Sequence, residues 1–200
     1  MKEEQLTCKL RAKKYRSYRG QQGKIAPNLL KRDFRAEKPN QKWVTDITEF
    51  KVMGQKLYLS PIMDLFNREI VCYTLSRSPN FQQVTEMLSR AFQKLPVNGQ
   101  LILHSDQGWQ YQMRPYQKLL KDKGIRQSMS RKGNCYDNSV IENFFGILKS
   151  EFFYDQKFRS VEVFQRQLSE YIEYYNNRRI KVKLSGLSPI QFRIQSTLVT

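Results

Sequence analysis

The chain has 200 residues and carries 35 Lys and Arg against 18 Asp and Glu, a formal charge of +17. Such an excess draws polyanions, so nucleic acid is the expected partner, and with no apolar run near the length of a membrane span, no membrane contact is expected. Three scattered cysteines, Cys8, Cys72 and Cys135, and the single His104 give neither a disulfide framework nor a zinc finger.

Residues 1–42 hold thirteen Lys or Arg against four acids, more than half of the whole excess. LTCKLRAKKYRSYRG has the makings of a short basic helix, and Gly23, Pro27 and Pro39 break the stretch after it. Residues 1–40 therefore read as a basic arm or the remnant of a DNA-binding region, lying along phosphates with Tyr15 and Tyr18 packed against sugar or base. The charged start lacks the apolar stretch of a signal peptide, so a cytoplasmic, nucleoid-associated protein is expected. KWVTDITEF, residues 42–50, reads as a strand with Asp46 in its middle. Runs over 56–66 and 68–76 come after turns at Met53-Gly54 and Asn67, and links that short make the three strands antiparallel.

Residues 80–95 have Phe81, Val84, Leu88 and Phe92 on one helical face, ended by Pro96. LILHSD, 101–106, is a buried-type strand that stops at Asp106, and a helix followed by such a strand is a crossover that sets it parallel to the first. Next come a helix over 113–124 closed by Gly124, a fifth strand at IRQSMS, and a helix from Ser139 whose start that serine can cap. The last helix, 160–177, opens at Ser160 and has Val163, Leu168, Ile172 and Tyr175 to pack. The fold class is α/β: a mixed five-stranded sheet flanked by helices, a core over 41–180, and a basic, turn-rich extension over 181–200.

Two aspartates stand where a carboxylate is costly or well placed. Asp46 interrupts a buried strand, and Asp106 ends the fourth strand at the edge where open sheets place ligands. If those strands are neighbours, the two face each other across about 4.8 Å, and like charges that close need a cation. Glu142, near the start of the aromatic helix bearing Ile141, Phe144, Phe145, Leu148 and Phe152, can close the cluster. Three carboxylates without a histidine cluster suit two hard ions, Mg2+ or Mn2+, flanking a phosphate. Asp64, Asp137 and Glu49 are rival acids, the first structural and the second part of the turn before the helix. His104 fits a satisfied core position better than a ligand. Trp109 and Tyr111 fit base stacking and core packing equally. Arg131, Lys132 and Asn134 suit DNA contact or plain turn chemistry, while Asn176, Arg178 and Arg179 suit phosphate contact or capping and solvation of the last helix.

WVTDITEF, LHSDQGWQY, SMSRKGNCYDNSVIENFFGILKSE and YIEYYNNRRIKVKLSGLSPIQF resemble successive blocks of the second-reading-frame (OrfB) transposases of bacterial insertion sequences. Those proteins have a retroviral-integrase-type core with a ribonuclease-H-like fold. The resemblance runs from about Phe34 to Phe192 and puts Asp46, Asp106 and Glu142 on the family's Asp, Asp and Glu, with Lys149 on the basic residue near the terminal phosphates. It implies a DNA transposase that nicks the 3' ends of an element and joins them to target DNA, acting on double-stranded DNA as a homo-oligomer. A metal-dependent nuclease of the same fold and a non-catalytic DNA-binding protein are the alternatives. Family members commonly carry helix-turn-helix segments before the core. Only a basic arm stands here, so the chain is expected to be either a truncated copy or one completed by an upstream-frame fusion partner.

Overall fold

Successive side chains on a strand point to opposite faces, and in the first strand both faces are apolar: Trp43 joins one buried cluster and Val44 the other. A strand of that kind is covered on both sides. The computed structural model describes residues 23–95 and 100–198 and places this strand inside a mixed sheet. The expected basic helix at 6–20, Tyr15, Tyr18 and Pro96 lie outside the described residues.

One strand was expected over 42–50, and two are found, β1 (Lys42–Thr45) and β2 (Thr48–Val52). Both pair antiparallel with β3 (Gln55–Asp64) in a single register, Thr45 opposite Ile62 and Thr48 opposite Leu59. That register sets Asp46 opposite Pro61, which has no N–H for a ladder bond. The Pro61 carbonyl is taken instead by the Thr45 hydroxyl at 2.8 Å. The ladder opens there, giving six strands rather than five among the described residues, although β1 and β2 occupy one position in the sheet. Met53 and Gly54, both at positive φ, form the two-residue turn into β3, the geometry that matches strand twist.

β4 (Ile70–Ser76) pairs antiparallel with the other edge of β3. α1 (Phe81–Phe92), capped by the Asn80 side chain, crosses over to β5 (Ile102–Ser105), which lies parallel to β1 as expected. α2 (Trp109–Gln112) and α3 (Arg114–Asp122) lead to β6 (Arg126–Met129), parallel to β5. A 3-10 turn, Cys135–Asn138, opens α4 (Ser139–Leu148), which runs through a π turn at Lys149–Phe153; α5 (Val161–Asn177) and α6 (Pro189–Leu198) complete the order. α1 and α3 bury Val84, Met87, Leu88, Tyr116 and Leu120 against one face of the sheet. On the other face Phe144, Leu148, Phe152, Phe164 and Leu168 cover Val44, Phe50 and Leu59, each such side chain contributing about 1.5–3 kcal/mol on burial. Val163, expected to pack, is only half-buried; Phe164 takes that place. Among the described residues no helix is long and apolar enough to cross a membrane.

Both flanks of the core are docked on it. Residues 27–30 run alongside β6: Met129 N–H donates to the Pro27 carbonyl, Leu29 N–H to Ser128 Oγ, and Leu30 is buried. Within the turn-rich C-terminal segment, α6 was not anticipated. It is held by Asn67 Nδ2 on the Pro189 carbonyl, by Arg193 on Glu69, and by Phe192 against Phe66.

Asn176, a candidate for phosphate contact, is buried and satisfies both backbone groups of Ile70, accepting from its N–H at 2.8 Å and donating to its carbonyl at 3.0 Å. Asn176→Ala orphans both groups. It is expected to cost about 2–4 kcal/mol, read as a lower denaturation midpoint, with DNA affinity of the folded protein unchanged.

Candidate active site

The site is built on the register of the two parallel central strands. Val44 pairs with His104, and two residues further that register brings Asp46 beside Asp106, past the ends of β1 and β5. Paired residues of parallel strands share a face, so both aspartates lie on the side where α4 begins.

Each aspartate is fixed by its own loop. Asp46 Oδ1 accepts from the N–H of Ile47 at 2.7 Å, and Oδ2 from Asn138 Nδ2 at 3.3 Å. Asp106 Oδ1 accepts from the Gly108 N–H at 2.9 Å. A Cβ on Gly108 would stand 3.0 Å from that oxygen, so a larger residue there would press on the Asp106 carboxylate. Glu142 lies in the first turn of α4 with its side chain exposed.

Burial raises the Asp46 pKa well above the ordinary carboxylate value, and the charges of Asp106 and Glu142 push it further. Burial raises Asp106 too, and Glu142 is raised by burial and by the charge of Asp106. The three carboxylates thus lie within electrostatic reach of one another and repel. Among the described residues, no three His, Cys, Asp or Glu side chains close into a group that could hold an ion. The Oδ1 of Asn138 is buried without a partner beside Asp46. The donor set at this edge is all oxygen and carries an excess of negative charge, which fits a hard divalent cation and not a soft one.

Other candidates fare differently. His104 is fully buried, its Nδ1 on Ser128 Oγ and its Nε2 on the Asp137 carbonyl, and burial lowers its pKa to about 4, so it is a neutral packing residue. Tyr111 is buried and unavailable for stacking, whereas Trp109 is 39% exposed. Lys149 is half-buried over the Phe50 ring and near Glu49. Arg131 and Asn134 are engaged within the protein, Arg131 on Asp137 and Asn134 Oδ1 by Arg32. Lys132 and Arg178 are exposed, and Arg179 is paired with Glu151. Asp64 is structural, accepting from the Asn40 and Phe66 N–H groups and from Trp43 Nε1.

Sequence reasoning missed two residues here. Asn138 is the N-cap of α4 with no side-chain capping bond, and Ser139 is its first residue rather than its cap; the Asn138 amide is turned to Asp46 instead. Asp137 is fully buried rather than a simple turn residue. The legible signal was an Asp-Asn pair one turn ahead of Glu142, shortly after the basic Arg131-Lys132.

A carboxylate with a raised native pKa carries no penalty below its unfolded pKa and its full penalty above the native one. Wild-type stability from these groups therefore declines as pH rises between the two values. Asp106→Asn keeps the acceptor for Gly108 and removes the repulsion. In chelator-treated protein at pH 7 it is expected to raise the melting temperature by about 2–4 °C, the equivalent of about 1 kcal/mol in a chain of this size. The gain should vanish as pH falls to the unfolded carboxylate range.

The integrase core domain family matches residues 36–135, and a second integrase core domain family matches 142–197. The chain is 57% identical over 191 residues to InsK of insertion sequence element IS150 from Escherichia coli (strain K12), covering 96% of this chain and 68% of that protein. It is equally identical, 57% over 191 residues, to an uncharacterized transposase-like protein of Haemophilus influenzae, covering 88% of it. The InsF transposase of IS3fB from Escherichia coli is 38% identical, with 96% and 69% of the two chains covered. Among solved structures, the HTLV-2 integrase catalytic core domain in complex with magnesium superposes with a TM-score of 0.60 at 18% identity, over 80% of this chain and 99% of that one. A chain of the simian T-cell lymphotropic virus intasome in complex with the PP2A regulatory subunit B56 gamma gives 0.70 at 20% identity, over 87% of this chain and 60% of that one. The mixed sheet with its flanking helices is the ribonuclease-H-like fold of those cores, and the chain belongs to the insertion-sequence transposases with an integrase core domain.

Proposed function

We propose that Asp46, Asp106 and Glu142 are the catalytic carboxylates of this transposase core, and that they act on the phosphodiesters of double-stranded DNA. The observation that carries this reading is the β1–β5 register, which sets two mutually repelling aspartates side by side at one sheet edge with Glu142 in reach.

The three carboxylates, with the unpartnered Asn138 oxygen beside them, would hold Mg2+ or Mn2+, two ions in the full site. When bound, such ions would activate water or a 3'-hydroxyl and stabilise a leaving 3' oxygen, the chemistry shared by nicking and joining. The protein's part is to hold the aspartates just past the ends of two paired strands and to present Glu142 from the first turn of a helix. His104, neutral and enclosed, takes no proton in the reaction. The order of steps is hydrolysis at the 3' end of an element, then attack of that 3'-hydroxyl on a target strand.

Lys132, Lys149 and Arg178 are proposed as phosphate contacts; Arg131, Asn134 and Arg179 would first have to leave their partners within the protein. The basic N-terminal arm supplies non-specific affinity. Paired element ends call for a homo-oligomer on DNA. A nucleoid-associated location is inferred from the charge. The nuclease and non-catalytic readings are not favoured by the transposase relatives.

Three outcomes are expected with oligonucleotides ending in the element's terminal repeat. Asp46→Asn, Asp106→Asn and Glu142→Gln should each lower joining of a pre-cut 3' end by at least about a hundredfold, roughly 2.7 kcal/mol of transition-state stabilisation. DNA affinity should be unchanged or higher, because a negative charge has left a polyanion-binding surface. Chelation should abolish joining and Mg2+ restore it. Near-normal joining by D106N would remove the carboxylates from the mechanism, and shortened strands without joined products would mean a nuclease.

A further inference from the structure

The turn before α4 is assembled from a distance. Asp137 is fully buried, and its carboxylate receives five hydrogen bonds from three residues. Arg131 donates its backbone N–H, Nε and Nη2 at 2.9–3.0 Å; Arg32 donates Nε at 2.9 Å, and Asn28 donates Nδ2 at 3.0 Å. Arg32 is bidentate across the turn, since its Nη2 also donates to Asn134 Oδ1 at 3.1 Å, and its guanidinium lies 5.6 Å over the Tyr136 ring. The backbone that delivers Arg32 is strained, with Lys31 and Arg32 both at positive φ, and the Lys31 N–H is held by Asn28 Oδ1 at 2.8 Å. Two consecutive non-glycine residues in the left-handed region persist only where their surroundings fix them.

The next residue, Asn138, is the one whose amide reaches Asp46, and α4, which it opens, carries Glu142. We infer that Asn28, Arg32 and Asp137 are positioning residues for the catalytic site. The hook at 28–32 clamps the 135–138 turn, and the turn sets where Asn138 and the start of α4 stand relative to Asp46. The inference rests on the assignment of the three carboxylates as catalytic. It also ties residues 28–32, at the end of the basic N-terminal stretch, to the chemistry.

Arg32 could instead be one more phosphate contact, and Arg32→Lys separates the two. Lysine keeps the charge that a phosphate reads and loses the fork that spans Asp137 and Asn134. In the full chain, Arg32→Lys and Asn28→Ala should each lower kcat for joining about tenfold while KM and Kd for DNA stay within twofold. In the same proteins, amide hydrogen exchange over residues 135–142 should quicken about tenfold without change in the exchange of β1 and β5. A wild-type kcat for Arg32→Lys, a loss confined to KM or Kd, or unchanged protection over 135–142 would each overturn the clamp. Asp106→Asn measured alongside keeps the two readings apart: if it joins normally, the carboxylate assignment fails, while exchange over 135–142 still decides the clamp.

Discussion

Everything at the candidate site depends on the parallel pairing of β1 with β5. That pairing comes from a crossover through α1, which returns the chain beside its first strand. Two acids sixty residues apart in sequence become neighbours on one face, and neither has a cationic partner among the described residues. The repulsion is a folding cost, and the apolar layers on both faces of the sheet offset it; under the proposed function it is carried for the chemistry. The pattern is a familiar one for functional sites, where the local rule against like charges is broken and the surroundings hold the break in place.

The opening between β1 and β2 belongs to the same arrangement. A continuous strand would have locked Asp46 into ladder geometry. Pro61 removes the donor opposite it, so the backbone of Asp46 and Ile47 leaves the ladder while the register with β3 persists on both sides. The carboxylate thus stands on a strand that is rigid at both ends and irregular at one point, which is where its own side chain accepts from the next N–H.

Much of this was legible in the sequence, and the reasons are physical. Asp46 and Asp106 stood out because a charge inside or at the end of an apolar strand violates its surroundings, and short links fixed the antiparallel order of the first three strands. Glu142 was placed by helical spacing together with the family resemblance. The break at Asp46 was hidden because it is caused by Pro61, a residue fifteen positions away that acts only after the strands pair. α6 was hidden because Ser185, Gly186 and Pro189 read as turns, while its anchors, Asn67 and Glu69, lie more than a hundred residues upstream. For Arg131, its place beside the helix start suited DNA contact and turn chemistry alike; the structure gives its fork to Asp137 within the turn.

Asp137 shows why charge counting overstates the surface available to DNA. A fully buried carboxylate is tolerable only when paired and hydrogen-bonded, and Asp137 meets that condition by drawing in two of the chain's many arginines. Those guanidiniums hold its pKa well below the usual carboxylate range. Removing either arginine would leave part of a buried charge uncompensated, so the pair is constrained by the fold before DNA arrives. Arg32 and Arg131 are therefore better understood as internal counter-ions than as part of the polyanion-binding excess. Under the proposed function, the positive surface left for DNA is what remains: exposed side chains such as Lys132 and Arg178, which make no ion pair among the described residues.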